Sequence, residues 1–489
     1  MTRRIASTLI PDLRASLVVF LVALPLCVGV AVASGVPAEL GIVTGIVGGL
    51  VAGALPGSSL QVSGPAAGLT VLVADAVAKH GIAALGVLVA GAGLLQILLG
   101  LLLLGTWFQA ISPSVVQGML AGIGLVLISG QLYPLFGHPA PGDAISKIAE
   151  LPGLITGIAR PDGGGPSGGI GLLTLTVIVL WNRLPRRWRA VPAPLVAVAA
   201  AAVLVAVLDL SVARVQVGSI MAALHTPSPD QAGLLTDPAV LGTIVTIALV
   251  ASAESLFSAA AVDRLHNGPP TRYNAELIAQ GTGNLISGAL GALPMTAVIV
   301  RSAANVQSGA RTKASAVLHG GWLLVFALAL PGVLGVIPVP ALAGLLLHAG
   351  WKLLDPATLV RSTRHDRAEA AITVVTALTI VAADMLTGVL VGFGLAIGLA
   401  AWRLSHVTIG WDRSSETSVH VRVTGNATFL RLPQIVRALD AVPHAARLQL
   451  DLTGLRHLDQ ATRATLERWA AQRRRGNVEV HTALPCATG

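Results

Sequence analysis

Two charged residues stand where the chain is otherwise apolar. Arg301 lies within the apolar run 297–304, shortly after Thr296. A guanidinium in hydrocarbon costs about 2.5–3.5 kcal/mol by insertion scales, so something must offset its burial. A bound anion would do so; the alternative is a helix-end arginine snorkelling to water. Glu254 sits in the middle of Leu249–Phe257, and an intramembrane carboxylate is a functional candidate by default. Ser258 follows one turn along the same face, so the pair is a candidate site for a coupling Na⁺ or H⁺. Equally, Glu254 can neutralise Arg301 without coupling anything.

A second kind of chemistry resides in backbone. The stretch Gln61-Val62-Ser63-Gly64-Pro65-Ala66-Ala67-Gly68 reads as a helix start, with Ser63 as N-cap and Pro65 in the first turn. The stretch Leu293-Pro294-Met295-Thr296-Ala297 opens another helix similarly. Two helix N-termini meeting inside a membrane would present N–H groups and positive dipole ends to one point, which favours an anion. Small residues at both starts would let a ligand approach the backbone. Asp75, Asp384 and Glu39 fall near span ends and read as interfacial, while His319 and His348 read as structural.

No enzyme constellation appears. The histidines do not gather with cysteines or carboxylates at metal spacing, and neither a Gly-x-Ser-x-Gly elbow nor a phosphate-loop lysine is present. Cys27 and Cys486 are too far apart in sequence to read as a metal-ligand pair, and two cysteines make no disulfide framework. No cofactor is expected beyond a coupling ion.

The elements that must hold these groups are membrane helices. Of 489 residues 54% are hydrophobic and 11% charged, against roughly 25% charged in a soluble chain. The 54 glycines fit helices that pack closely in lipid. The net charge of +9 is spread over short loops, which reads as cytoplasmic loop charge and not as a nucleic-acid surface. The first apolar run starts near Ala15 and no small-residue cleavage site closes it, so no cleaved signal peptide is expected.

Apolar runs give about fourteen candidate spans. The first seven are 15–34, 40–56, 64–79, 83–105, 113–133, 168–182 and 190–209. The next seven are 239–262, 273–291, 296–308, 314–335, 337–352, 368–384 and 386–404. Positive charge tests the order: Arg3, Arg4 and Arg14 precede the first span, and Arg183, Arg186, Arg187 and Arg189 follow the sixth. Arg264 and Arg272, then Arg311 and Lys313, then Lys352, Arg361, Arg364 and Arg367 follow the eighth, tenth and twelfth, and Arg403 closes the last. The opposite side holds only Lys79, Lys147, Arg160 and Arg214, so both termini are expected in the cytoplasm. The Gly163-Gly164-Gly165-Pro166 stretch falls in an outer loop and reads as linker. Spans divide into two sevens around 210–238, and the short third span has a counterpart in the short tenth. Seven is odd, so the second half is inverted, and short segments at matching places in two halves point to a transporter's binding site.

Residues 405–489 differ in character. Val419-His420-Val421-Arg422-Val423 alternates like a strand, Arg447–Leu452 repeats the pattern, and an arginine-rich helix is expected over 460–475. The fold class expected is an all-α polytopic membrane protein followed by a small cytoplasmic α/β domain. Its parts are an N-terminal segment 1–14, a transport domain 15–404 with repeats 15–209 and 239–404, and the tail 405–489.

Several runs resemble the sulfate permease (SulP) family. They include Glu254-Ser255-Leu256-Phe257, Arg264-Leu265-His266-Asn267, and Asn274-Ala275-Glu276-Leu277-Ile278-Ala279-Gln280-Gly281. Gly283–Gly288, Arg301-Ser302-Ala303-Ala304-Asn305 and Gly309-Ala310-Arg311-Thr312 continue the likeness, as do Ala23-Leu24-Pro25-Leu26 and Gly35-Val36-Pro37. The resemblance covers about 15–485 and implies a core and a gate domain that work by an elevator-like movement. It implies an anion site between the starts of the third and tenth helices, matching Ser63, Gly64, Pro65 and Ala66 and Thr296, Ala297 and Val298, with Arg301 as the site arginine. Leu26 and Val30 of the first helix fall on its remaining positions. Family carriers that use Na⁺ bind it through an Asp and a Thr one turn apart, and Glu254 and Ser258 stand at those places. The run Ser16–Cys27 is similar to a bacterial subgroup linked with carbonic anhydrase, which tilts the expected substrate from sulfate towards bicarbonate. The tail resembles a STAS domain in which Leu458-Asp459-Gln460-Ala461-Thr462 keeps the helix-start Asp and has no switch serine; docking or dimerisation is expected of it. The family implies a homodimer. Chloride exchange, a nucleobase–cation symporter of the same repeat plan, an uncoupled anion channel and a membrane scaffold remain the competing readings.

Overall fold

The computed structural model describes residues 2–110, 112–141, 144–158, 165–181, 183–185, 191–216, 218–329, 331–415, 417–443, 446–475 and 479–483. Arg160, Arg186, Arg187, Arg189, Gly163, Gly164 and Cys486, used above, lie outside them.

The chain divides into two compact units, Met1–Gly392 and Phe393–Gly489. The first opens with α1 (Thr2–Ala33) and α2 (Ala38–Val47), then a strand β1 (Ser63–Pro65) leading to α3 (Thr70–His80). Next come α4 (Leu85–Leu101), α5 (Pro113–Leu135), the short α6 (Ala144–Ala149) and α7 (Leu151–Ile158), α8 (Gly165–Trp181) and α9 (Ala193–Val207). After the one-turn α10 (Ile220–Ala223) follow α11 (Pro238–Asp263) and α12 (Tyr273–Ala289). A second strand, β2 (Met295–Ala297), leads into α13 (Ile299–Gln307). The unit ends with α14 (Ala314–Ala329), α15 (Val339–Leu354), α16 (Pro356–His365), α17 (Arg367–Ala382) and the start of α18 (Met385–Leu404).

A helix lies within each of the apolar runs named above. Among the described residues, five helices are long and apolar enough to cross a membrane by themselves: Leu9–Ala33, Ile82–Leu101, Pro113–Leu135, Pro238–Asp263 and Met385–Leu404. The outer faces are apolar, with Leu94, Leu98 and Leu101 of α4 and Val203 and Val207 of α9 exposed. Exposed leucines and valines at helical spacing suit a lipid surface. Inside, α4 and α12 pack so closely that a Cβ on Gly93 would stand 2.6 Å from the Gly281 carbonyl oxygen. This is where small residues are needed for helix contact.

The two strands pair antiparallel, with Ser63 opposite Ala297, Gly64 opposite Thr296 and Pro65 opposite Met295. That pairing corrects the reading of the helix starts. Ser63 is not an N-cap and Pro65 is not in a first helical turn; both lie in β1, and a 3₁₀ turn at Ala67–Leu69 begins the helix. Thr296 likewise lies in β2, two residues before the N-cap position Val298. The physical reason is backbone satisfaction: an extended segment buried in apolar surroundings must pair its amides, and each strand is the other's partner.

In the second unit β3 (Val407–Ser415) and β4 (Ser418–Ala427) pair antiparallel, and α19 (Leu432–Asp440) leads to β5 (Arg447–Asp451). Then come β6 (Leu455–Leu458), α20 (Gln460–Arg475) and β7 (Glu479–Ala483). The sheet order is β3-β4-β5-β7, with β6 beside β4. The alternation seen in sequence places Val419, Val421, Val423, Leu448 and Leu450 in its core. Asp459 caps α20, accepting from the Thr462 N–H at 2.8 Å and from the Phe429 N–H. The C-terminal end of α18 is bound into this unit. Arg431 Nε donates to Ser405 O at 2.6 Å, its guanidinium stacks 4.0 Å from the Trp402 ring centroid, and Asn426 Nδ2 donates to Leu404 O at 2.8 Å.

Candidate anion site

Arg301 is fully buried. Its position on α13 directs it at β1: Nη2 donates to the Pro65 carbonyl at 3.1 Å, and an added Cβ on Gly64 would meet Nη1 at 2.2 Å. Among the described residues Nε and Nη1 make no well-formed hydrogen bond, and the Cys27 thiol is a hydrogen-bonding neighbour of the guanidinium. The snorkelling alternative is therefore overturned. The titratable neighbours of the guanidinium are the Cys27 thiol and the His319 ring, both buried. Neither ring nitrogen of His319 is hydrogen-bonded, and Glu39 is also buried, taking the Gly218 N–H, where an interfacial place was expected.

Glu254 faces the start of the third helix. A Cβ on Gly68 would lie 2.7 Å from Glu254 Oε1, the Thr296 hydroxyl is its hydrogen-bonding neighbour, and Oε2 is left without a partner. Among the described residues Glu254 and Arg301 form no ion pair, so mutual neutralisation is not how either charge is held.

Both residues border one open cavity of about 2570 Å³. Ligand pockets usually measure about 300–1,000 Å³, so this space is a vestibule with polar groups at one wall, not a fitted pocket. Leu26, Val30, Pro65, Glu254, Ser258, Val298 and Arg301 line it. Ser63, Gly64, Ala66, Thr296 and Ala297 do not; they are buried behind the wall, in or beside the strand pair. The starts of both short helices reach the cavity through Ala67, Gly68, Val298 and Ile299. Neither start is capped by a side chain. The wall thus combines one guanidinium with two helix N-termini, a setting that stabilises negative charge.

Sequence reasoning missed the groups that hold this wall. Ser302 Oγ accepts the Val62 N–H at 2.9 Å, Asn305 Nδ2 donates to Leu60 O at 3.0 Å, and Ser255 Oγ accepts the Ala297 N–H at 3.2 Å. From α12, Gln280 Nε2 donates to Ser63 Oγ at 2.6 Å, and the Asn284 amide takes the Met295 N–H at 2.7 Å while donating to its carbonyl at 3.1 Å. The signal was present as large polar side chains recurring every fourth position along one face of α12: Glu276, Gln280, Asn284.

A model of the sulfate permease family matches residues 9–376. The chain belongs to the sulfate permease family. A second model, of the Mlab STAS domain, matches 412–486, so a STAS domain follows the helices. The bicarbonate transporter BicA of Picosynechococcus is 29% identical over 419 residues, covering 81% of this chain and 71% of that relative. The putative sulfate transporter YvdB of Bacillus subtilis is 28% identical over 415 residues, covering 81% and 74%. Among solved structures, the transmembrane domain of a cyanobacterium BicA superposes with a TM-score of 0.66 at 26% identity, over 79% of this chain and 97% of that one. SLC26A9 superposes with a TM-score of 0.76 at 16% identity, over 98% and 84%, a likeness of fold. The sulfate permease family and these relatives are transporters, and this member is not an enzyme.

Proposed function

We propose that this member of the family is a secondary active transporter of a small inorganic oxyanion, bicarbonate or sulfate, across the cytoplasmic membrane. The observation that carries the reading is Arg301: fully buried, anchored by one donor to Pro65 O, with Nε and Nη1 making no well-formed hydrogen bond among the described residues at the cavity wall. A buried cation in that state wants an anionic partner. Relatives named as bicarbonate and sulfate transporters supply the two substrate classes.

Alternating access by an elevator-like movement of a core against a gate, in a seven-plus-seven inverted repeat with both termini cytoplasmic, is the mechanism we attach to it. The antiparallel pairing of β1 with β2, one from each half, supports that plan. Coupling belongs to Glu254 with Ser258. The partnerless Glu254 Oε2 is the kind of buried atom that Na⁺ or a proton would satisfy. Ser258 borders the same cavity. A homodimer, chloride as exchanged anion, and carbonic anhydrase docking through the STAS domain complete the proposal.

The test is uptake of labelled bicarbonate and labelled sulfate into proteoliposomes, each with and without inward Na⁺ and H⁺ gradients, beside Arg301→Ala. Saturable uptake of one anion, driven by one gradient and lost in the variant, is expected. Uptake of neither by wild type would overturn the reading.

A further inference from the structure

Three residues of α12 lie outside the cavity lining, yet all three bond to the segments that form or precede the strand pair. Glu276, Gln280 and Asn284 recur one turn apart along one face of the helix and are all buried. Each grips a different piece of the extended segments. Glu276 Oε2 accepts the Ser58 N–H at 2.7 Å, ahead of β1. Gln280 Nε2 is shared between Glu276 Oε1 at 2.8 Å and Ser63 Oγ at 2.6 Å, within β1. Asn284 holds Met295 of β2 at both backbone atoms. Its amide cannot be turned over, because Nδ2 also donates to Gln96 Oε1 at 2.7 Å, and Gln96 is itself fixed to Ser252 Oγ at 3.2 Å.

We infer that Glu276, Gln280 and Asn284 are positioning residues for anion binding, and that α12 acts as the gauge that spaces β1 from β2 and so sets Arg301 against the Pro65 carbonyl. Ser255 of α11 also reaches both segments, but with a single hydroxyl and its own carbonyl, which accepts from Gln61 Nε2 at 2.9 Å. On α12 Glu276 and Gln280 are hydrogen-bonded to each other and grip the β1 side, while Asn284 one turn on grips β2, so the member bonded both to its helix neighbour and to β1 carries the spacing on that side. Gln280 is that member. Replacing its amide by a carboxylate removes both donations, to Glu276 and to Ser63, and sets two carboxylates one turn apart.

The inference rests on the anion-transport reading, and the experiment separates the two. Gln280→Glu is compared with wild type and with the exchange Glu276→Gln/Gln280→Glu, in proteoliposomes, with KM and turnover normalised to folded transporter. In the exchange every contact can be rebuilt: Gln at 276 accepts from Ser58 N–H and donates to Glu at 280, which accepts from the Ser63 hydroxyl. Gln280→Glu is expected to raise KM for the anion about tenfold, as for loss of a buried hydrogen bond, with turnover at saturation kept and the exchange restoring KM. A fall in folded protein alone, or an exchange no better than the single variant, would overturn it. If wild type transports neither bicarbonate nor sulfate, the transport reading fails. Amide hydrogen exchange over 60–66 and 295–301 then decides the inference: faster exchange in Gln280→Glu, reversed in the pair, supports it, and unchanged exchange sinks it.

Discussion

β1 and β2 are equal in length, equally buried and paired residue for residue, yet they bring different things to the site. The β1 side brings backbone: the Pro65 carbonyl that anchors the guanidinium, and the uncapped start of the third helix. The β2 side leads into α13 and brings the charge itself, Arg301. Glycines occupy the close approaches on the β1 side, Gly64 under Arg301 and Gly68 under Glu254. One strand's side carries the cation and the other's is shaped to receive it, so two paired segments of equal length yield a one-sided electrostatic wall.

The comparison breaks first at Arg301. Arg301→Ala should lower anion affinity about a hundredfold, the loss of a charged hydrogen-bonding group, and Arg301→Lys should recover only part because lysine cannot both hold Pro65 O and present a planar donor edge. Competition of unlabelled anion against uptake reads both. Glu254→Gln comes next. It should leave saturable anion uptake in place while removing its dependence on the cation gradient; a variant that still follows the gradient would take Glu254 out of the coupling role.

The glycines sharpen the contrast. Gly64→Ala forces Arg301 aside and should raise KM for the anion about tenfold, as overpacking of a tight site does. Gly68→Ala presses on Glu254 instead and should shift half-saturation by the coupling ion while sparing anion KM. Equal effects of the two on anion KM would show that the two charges are not separately served. The smallest effect lies in the STAS domain. The Thr453 hydroxyl and N–H, with His420 and Arg422, hold the Asp451 carboxyl below the usual carboxylate range. A carboxyl lowered by folding stabilises the fold above its unfolded value, about 3.9, and that contribution is lost as pH falls through the folded value. The urea midpoint of 405–475, followed by amide exchange in the whole chain, should therefore drop more between about pH 6 and pH 3 in wild type than in Asp451→Asn.

Much of this was legible from residues. A helix sits in each apolar run because hydrocarbon leaves the backbone few other ways to pair its amides. The strands of the STAS domain follow from alternation such as Val419-Val421-Val423, and Asp459 caps the helix its position announced. Arg301 and Glu254 stood out because isolated charge in an apolar run is costly. What stayed hidden was pairing at long range. Ser63-Gly64-Pro65 carries every local mark of a helix start, and only the distant Met295-Thr296-Ala297, which no local rule connects to it, turns it into a strand. The α12 residues Glu276, Gln280 and Asn284 showed their four-residue spacing, but not the distant segments they reach.

The end of α18 offers one more consequence. Two of its final carbonyls, at Trp402 and Leu404, and that of Ser405 just beyond are captured by Arg431 and Asn426 of the STAS sheet region. There is no slack tether at that junction. A fluorophore fixed on an exposed strand residue of this unit would therefore report, by its polarised emission, the orientation of the helix end at 393–404 to which the sheet region is bonded.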